Sequence, residues 1–265
     1  MYSPFQLAKK WLVYWFTASN GKGHGVHSPF VFDFITKLLN DKQPYESYKK
    51  IEALRHQLQS SEQIITVEDF GAGSRTGASN QRSVSSIAKN ALKPKKYGQL
   101  LSRMVKYFQP KEILELGTSL GITSSYLASA NPAAHLHTME GAAEIAAIAK
   151  ENFIQLGLKN ITIHRGNFDE TLAPLLAELK RTDFAFIDGN HRHEPTVRYF
   201  KMLLPYCHND TVLVFDDIHW SKEMEQAWEE IKNEPRILLS IDLFFIGIVF
   251  FRKEFKVKQH FSIRF

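Results

Sequence analysis

The chain has 265 residues, with 33 Lys and Arg against 28 Asp and Glu, for a formal net charge of +5. Hydrophobic residues make up 44% and charged residues 23%, an ordinary globular balance that excludes global disorder and fits one large domain or two smaller ones. The single cysteine, Cys207, excludes an intrachain disulfide and a multi-cysteine zinc site, and such sparing thiol use favours a reducing, cytoplasmic setting.

Gln6 to Ala18 carries apolar residues at helical spacing. Within it, Trp11 to Phe16 follows Lys9 and Lys10 and imitates a signal peptide. The run falls short of the roughly 20 apolar residues of a spanning helix and lacks an A-x-A-like cleavage site. It predicts an amphipathic helix packed on the protein, without stable membrane insertion; a membrane-surface role is the minor alternative. Asn20 to His24 is a glycine-rich break. Ser28-Pro29 then starts a helix over Phe30–Leu39, with Ser at the N-cap and Pro at the first helical position, where its missing N–H costs nothing. No strand–helix alternation precedes Ile64. Residues 1–95 therefore read as a helical N-terminal extension or lid that shapes an acceptor pocket, and residues 96–265 as the cofactor-binding domain.

Residues 70–111 contain nine Lys and Arg and no acid, from Arg75 and Arg82 to Lys111. Such a strip suggests an anionic partner, with a solvated basic face as the plain alternative.

From Lys111 the alternation becomes regular. Strands are predicted at Glu112–Leu116, Leu136–Met139, Ile161–His164, Phe184–Ile187 and Thr211–Phe215. Helices are predicted at Ile122–Ser129, Ala142–Leu156, Thr171–Leu179, Thr196–Leu204 and Lys222–Ile231, with Thr171 as an N-cap and Gly157 just past a helix end. Continuous apolar strands separated by helices signal a parallel sheet covered on both faces. Ile237–Leu239 and Ile246–Phe251, joined by a short link, suit a closing antiparallel pair. The expectation is an α/β fold with a mostly parallel seven-stranded sheet and an antiparallel last strand.

In Glu115-Leu116-Gly117-Thr118-Ser119-Leu120-Gly121 a buried strand runs into a glycine turn and a helix. Glycine permits close backbone approach to a ligand, and the helix start offers free N–H groups. Glu140, 23 residues beyond Gly117, ends the next strand, where a carboxylate can accept both hydroxyls of a ribose. A dinucleotide and S-adenosylmethionine both fit this pattern. The close-approach glycine of G-x-G-x-x-G is missing. Glu115 would also repel a pyrophosphate, whereas it would help hold an amino group or sulfonium.

The stretch Leu114–Thr123 resembles motif I of the class I S-adenosylmethionine-dependent methyltransferases, in the form E/D-x-G-x-x-x-G, and the likeness runs from about Tyr97 to Phe251. Within that superfamily the chain is most similar to small-molecule O-methyltransferases of the catechol and caffeoyl-CoA type and their sugar-modifying relatives. Lys96 to Leu101 resembles the Gly-Gln helix before their first strand. The resemblance implies a Rossmann-like, doubly wound fold, with Glu115 near the methionine amino group and Glu140 on the ribose. It also implies a cofactor cradle of Gly117, Thr118, Ser119, Gly121 and Gly141, with Asn167 and Phe168 flanking the adenine. A second loop, Thr66 to Arg75, also reads as strand, acid and glycine turn but has no carboxylate partner after it. It reads as a turn, or as an anion-binding one beside Arg75 and Arg82.

The fourth strand ends at Asp188 and the fifth at Asp216-Asp217. Carboxylates converging there need a cation between them, and hard oxygen ligands suit Mg²⁺ or another divalent ion. In the metal-dependent members of the resembled family, an Asp after strand four and an Asp-Asn or Asp-Asp pair after strand five hold that ion. Asp188, Asp216 and Asp217 occupy those positions, with Asp217 in place of the commoner Asn. His191 matches the family's general base, an imidazole able to take a hydroxyl proton near neutral pH, and Asp188 is placed beside it in both the catalytic and the cofactor sets. His219 is the second candidate base, and His164 and His193 crowd the same region. A zinc site of His191, His193 and His219 lacks the helical H-x-x-x-H spacing. The expected activity is S-adenosylmethionine-dependent O-methylation of a small-molecule hydroxyl with divalent-metal assistance. The acceptor is expected to be anionic, and a homodimer is allowed. The alternatives are an RNA or protein methyltransferase docking on the basic strip and a non-catalytic nucleotide-binding module.

Overall fold

A computed structural model describes residues 1–67 and 81–265. The chain falls into two units, residues 42–179 and residues 1–41 with 180–265. Both contribute strands to one mixed, mostly parallel eight-stranded sheet.

In the unit 42–179, three apolar runs form β3 (Glu112–Leu116), β4 (His135–Glu140) and β5 (Ile161–Arg165), paired in parallel. Helices α6 (Ile122–Ala130) and α7 (Ala143–Gln155) connect them, and α8 (Phe168–Leu179) follows. Gly157 has φ +70, and Leu158 N–H closes back onto the Phe153 carbonyl, so the glycine ends α7 as the sequence predicts. At α8 the start lies earlier than Thr171. Asn167 caps the helix by accepting from Asp169 N–H, and Thr171 instead donates its hydroxyl to the Asn167 carbonyl.

Upstream lie α3 (Glu46–Gln59), a hairpin of β1 (Ile64–Thr66) and β2 (Gln81–Ser83), α4 (Val84–Asn90) and α5 (Lys95–Phe108). Ile51, Leu54, Ile65, Val84 and Ile87 share a core with Ile122, Tyr126, Ile145 and Ile148 of α6 and α7. Gly98 of α5 has a packing reason: a Cβ there would meet the Tyr126 ring at 2.6 Å. The predicted loop at 66–75 lies outside the described residues from Glu68 on.

The other unit begins with α1 (Pro4–Thr17), α2 (Pro29–Asp33) and a π-helical turn, Phe34–Leu39. Ser28 caps α2 through Val31 N–H with Pro29 at the first position, as its sequence predicts. The C-terminal part contains β6 (Thr182–Ile187), α9 (His193–Leu203), β7 (Cys207–Asp216), α10 (Lys222–Asn233), β8 (Leu239–Asp242), β9 (Ile246–Phe250) and β10 (Gln259–Ser262). β6 and β7 are parallel, and β9 runs antiparallel to both β7 and β8. The sheet therefore keeps its antiparallel strand but has eight members instead of seven. The extra one, β10, pairs in parallel with β8. Cys207 is buried, its thiol donates to the Leu203 carbonyl, and burial pushes its pKa up to about 12, which leaves it unreactive.

Candidate active site

The glycine turn is built by backbone demands that few sequences meet. Gly117, Ser119 and Gly121 all have positive φ, at +107, +48 and +78. At Gly121 a Cβ would meet the Phe153 ring at 2.5 Å, so both the conformation and the space require glycine. Gly117 N–H and Thr118 N–H both donate to the Met139 carbonyl, tying the turn to β4. Thr118 is buried, and its hydroxyl is 2.7 Å from that of Thr138. Its side chain therefore buttresses the turn.

Glu140 sits against this turn. One carboxylate oxygen accepts from Ser119 N–H at 2.9 Å and the other from Ala142 N–H at 3.0 Å. Burial raises its pKa, opposed by those N–H groups and that of Gly141. Each oxygen keeps a second lone pair for a ligand hydroxyl.

Glu115 is fully buried. Its Oε2 accepts from the hydroxyls of Ser124 at 2.5 Å and Thr138 at 2.6 Å. Its Oε1 is buried and has no hydrogen-bond partner among the described residues. Burial, with Glu140 nearby, pushes the carboxyl up to about 7 against the pull of the two hydroxyls. A buried carboxylate with one bare oxygen is stabilised by a cationic hydrogen-bond donor. Nothing in the sequence spacing marks Ser124 and Thr138, which come from α6 and β4. Asn167 and Phe168 lie at the start of α8, both half-buried, with the Asn167 side chain used in capping.

In the other unit, β6 ends in a turn whose Asn190 adopts φ +55, a conformation asparagine tolerates. The turn places His191 Nε2 3.5 Å from Asp188 Oδ1. Asp188, His191 and Asp216 each offer a ligand atom within 4.8 Å of the others. Asp216 is buried, and the other two are partly exposed. Asp217 is not one of these three: β7 ends at Asp216, and Asp217 follows with φ +52, its carbonyl accepting from Trp220 N–H. Among the described residues, the group brought together is two carboxylates and an imidazole.

The remaining histidines are committed elsewhere. His219 bridges Glu225 at 3.1 Å and Asp242 at 2.8 Å, and these carboxylates outweigh desolvation to raise its pKa. His193 pairs with Glu230. His164 Nε2 lies 3.0 Å from His137 Nδ1 on the sheet. In the basic strip Arg103 is buried and Lys106 covers the Tyr45 ring at 3.8 Å, so the strip is not one solvated face. Arg75 lies outside the described residues.

Residues 114–218 match the family described as "Methyltransferase domain". Over those residues the chain is similar to a methyltransferase domain. The chain is 32% identical over 124 residues to a protein of Niastella koreensis named catechol O-methyltransferase, covering 46% of this chain and 55% of that one. It is 33% identical over 73 residues to an uncharacterised protein of Acanthamoeba polyphaga mimivirus, covering 26% of this chain and 33% of the other. It thus spans between a third and just over half of these relatives. The fold likeness is broader. The S-adenosylhomocysteine-bound methyltransferase of Podospora anserina aligns with a TM-score of 0.60 at 14% identity, over 85% of this chain and 97% of that one. A Bacillus cereus O-methyltransferase in complex with S-adenosylhomocysteine gives 0.55 at 18% identity, over 83% and 97%. Within the matched residues, the glycine turn and Glu140 stand at the carboxyl ends of β3 and β4, the rim where parallel sheets take ligands.

Proposed function

We propose that the chain is an S-adenosylmethionine-dependent O-methyltransferase acting on a small-molecule hydroxyl. The observation that carries this reading is Glu115, buried with a bare Oε1 beside the glycine turn. A pyrophosphate would be repelled there, whereas the ammonium of a methionine moiety supplies the missing donor and positive charge. Glu140, held by two backbone N–H groups, takes the ribose hydroxyls. Bound S-adenosylmethionine supplies a methyl group on a cationic sulfur, and a divalent ion supplies positive charge that favours an acceptor alkoxide.

Asp188 and Asp216 provide the anionic pair for that ion, and His191 Nε2, beside Asp188, receives the acceptor proton. The mutual approach of all three groups supports a second assignment, with His191 as the third ligand. An O,O,N donor set favours a borderline ion such as Mn²⁺ over Mg²⁺. Calorimetric Mn²⁺ titration separates the two assignments. Unchanged affinity in His191→Ala leaves it as the base, and a loss of tenfold or more makes it a ligand.

The reading as a whole is tested by thermal shift. S-adenosylmethionine and S-adenosylhomocysteine raise the melting temperature and NAD does not. Stabilisation by NAD alone would replace it with a dehydrogenase.

A further inference from the structure

Helix α1 is apolar on both sides. Its inner side packs on its own unit: Tyr14 is buried against Phe244, with Leu7, Trp11 and Phe245 around them. Tyr14 also donates its hydroxyl to the Ile263 carbonyl. Polar contacts fix the same side, since Tyr2 and Lys10 both bond Glu225, at 2.7 and 2.9 Å. The opposite side faces solvent. At 3.6 residues per turn, Leu12, Phe5 and Phe16 fall within an arc of about 40°, and they are 50%, 80% and 77% exposed, with Val13 at 57% beside them. A helix apolar all round belongs in an apolar environment on both sides, and exposed large apolar side chains gathered on one face mark an interaction surface.

Glu225 neutralises Lys10 on the inner side, and the chain segments beside the outer face carry only positive charge. Residues 1–32 contain three lysines and no acid, and residues 255–265 contain Lys256, Lys258, Arg264 and no acid. The two segments meet where Ser19 bridges Ile263 and the Arg264 guanidinium lies 5.7 Å from the Trp15 ring centre. Lys9 is exposed about 20° beyond Phe16, between it and Val13 on the same side of the helix. In a two-fold pair of this face Lys9 would be pressed towards its own copy. At a lipid surface the same side chain reaches out to anionic headgroups while its stem stays with the apolar face. None of the described helices is long and apolar enough to cross a membrane, so contact would be interfacial.

We propose that the outer face of α1 docks the protein on anionic membrane surfaces, with Phe5, Leu12, Val13 and Phe16 entering the headgroup–acyl boundary and Lys9 contacting lipid phosphates. This depth and composition suit an interfacial helix. The test is flotation of the full chain with phosphatidylcholine vesicles and with vesicles containing phosphatidylglycerol. Binding is expected to the anionic vesicles, weaker to the neutral ones, and to fall with added salt. A blue shift of tryptophan emission should accompany it.

Phe5→Ser with Phe16→Ser should cut vesicle binding at least tenfold, and Lys9→Glu should weaken it several-fold. Both phenylalanines are largely exposed, so circular dichroism and melting temperature should stay at wild type. Failure to bind either vesicle overturns the proposal, as does binding indifferent to the double substitution. A concentration-dependent dimer that the double variant splits, with no vesicle binding, would reassign the face to self-association.

Discussion

Strands β3 to β5 bury titratable groups on both of their faces, and the two faces solve the problem differently. Side chains alternate along a strand, so Glu115, Thr138 and Glu140 share one face, while Glu112, His135, His137 and His164 share the other. On the second face the imidazoles satisfy one another. His137 Nδ1 is 3.0 Å from His164 Nε2, His137 Nε2 is 3.3 Å from Glu112, and His135 bonds Thr162. Burial first, then the neighbouring His135 and His164, push the His137 pKa down to about 4, so that imidazole stays uncharged at neutral pH. On the first face Glu115 is pushed up to about 7 and keeps a bare oxygen. On one face burial keeps an imidazole uncharged, and on the other it pushes a carboxyl towards its protonated form. Burial alone does not mark a binding site; burial with an unmet charge requirement does.

The largest expected effect comes from Glu115→Gln. In the wild type the folded-state pKa is raised from 4.5 to about 7, so stability is lost as pH rises across that window. Removing the charge should stabilise the ligand-free protein above pH 7 by about 3 kcal/mol, the free energy of that displacement, less whatever the altered bonds to Ser124 and Thr138 take away. The same change should weaken S-adenosylmethionine binding by tenfold or more. Urea denaturation and calorimetry read the two effects. A variant that gains no stability, or binds the cofactor as before, breaks the contrast between the faces.

Next in size is Glu140→Ala. Its carboxylate braces Ser119 and Ala142 and is assigned the ribose. Its loss should weaken cofactor binding by about 1.5–3 kcal/mol, the usual worth of hydrogen bonds to a charged group. Unchanged affinity would move the ribose elsewhere.

The contrast also marks what a sequence discloses. Strands β3 to β7 are legible because continuous apolar runs end in turn residues, and Gly117 with Glu140 is legible because spacing along a βαβ unit carries the chemistry. Strand β10 is not, since Gln259-His260-Phe261-Ser262 has no apolar run and exists as a strand through its pairing with β8. The π-helical turn at 34–39 has no such local signal. At Asp188 the acids and His191 are legible as letters, but which of them come within ligand distance of one another is not. Asp216 and Asp217 look equivalent as letters until the strand ends between them and Asp217 takes a left-handed φ. The imidazole face is hidden for the same reason, because His137 and His164 come from different strands and meet only through register.

The smallest effect sharpens the comparison most, because it has the opposite sign. His137 titrates near 6.5 in the unfolded chain and near 4 when folded. As pH falls from 6.5 towards 4 the unfolded state binds a proton that the folded state refuses, and stability declines. Its share is on the order of 1–3 kcal/mol. Glu115 contributes in the other direction over much of that range. In His137→Gln stability should therefore fall less on acidification than in the wild type, and in Glu115→Gln it should fall more. Urea midpoints at pH 7 and pH 5 for the three proteins make the comparison internal, since titrations elsewhere in the chain are common to all. If both variants shifted the pH slope the same way, the two faces of β3 to β5 would not be electrostatic opposites. The argument that Glu115 alone awaits a cation would then lose its physical ground.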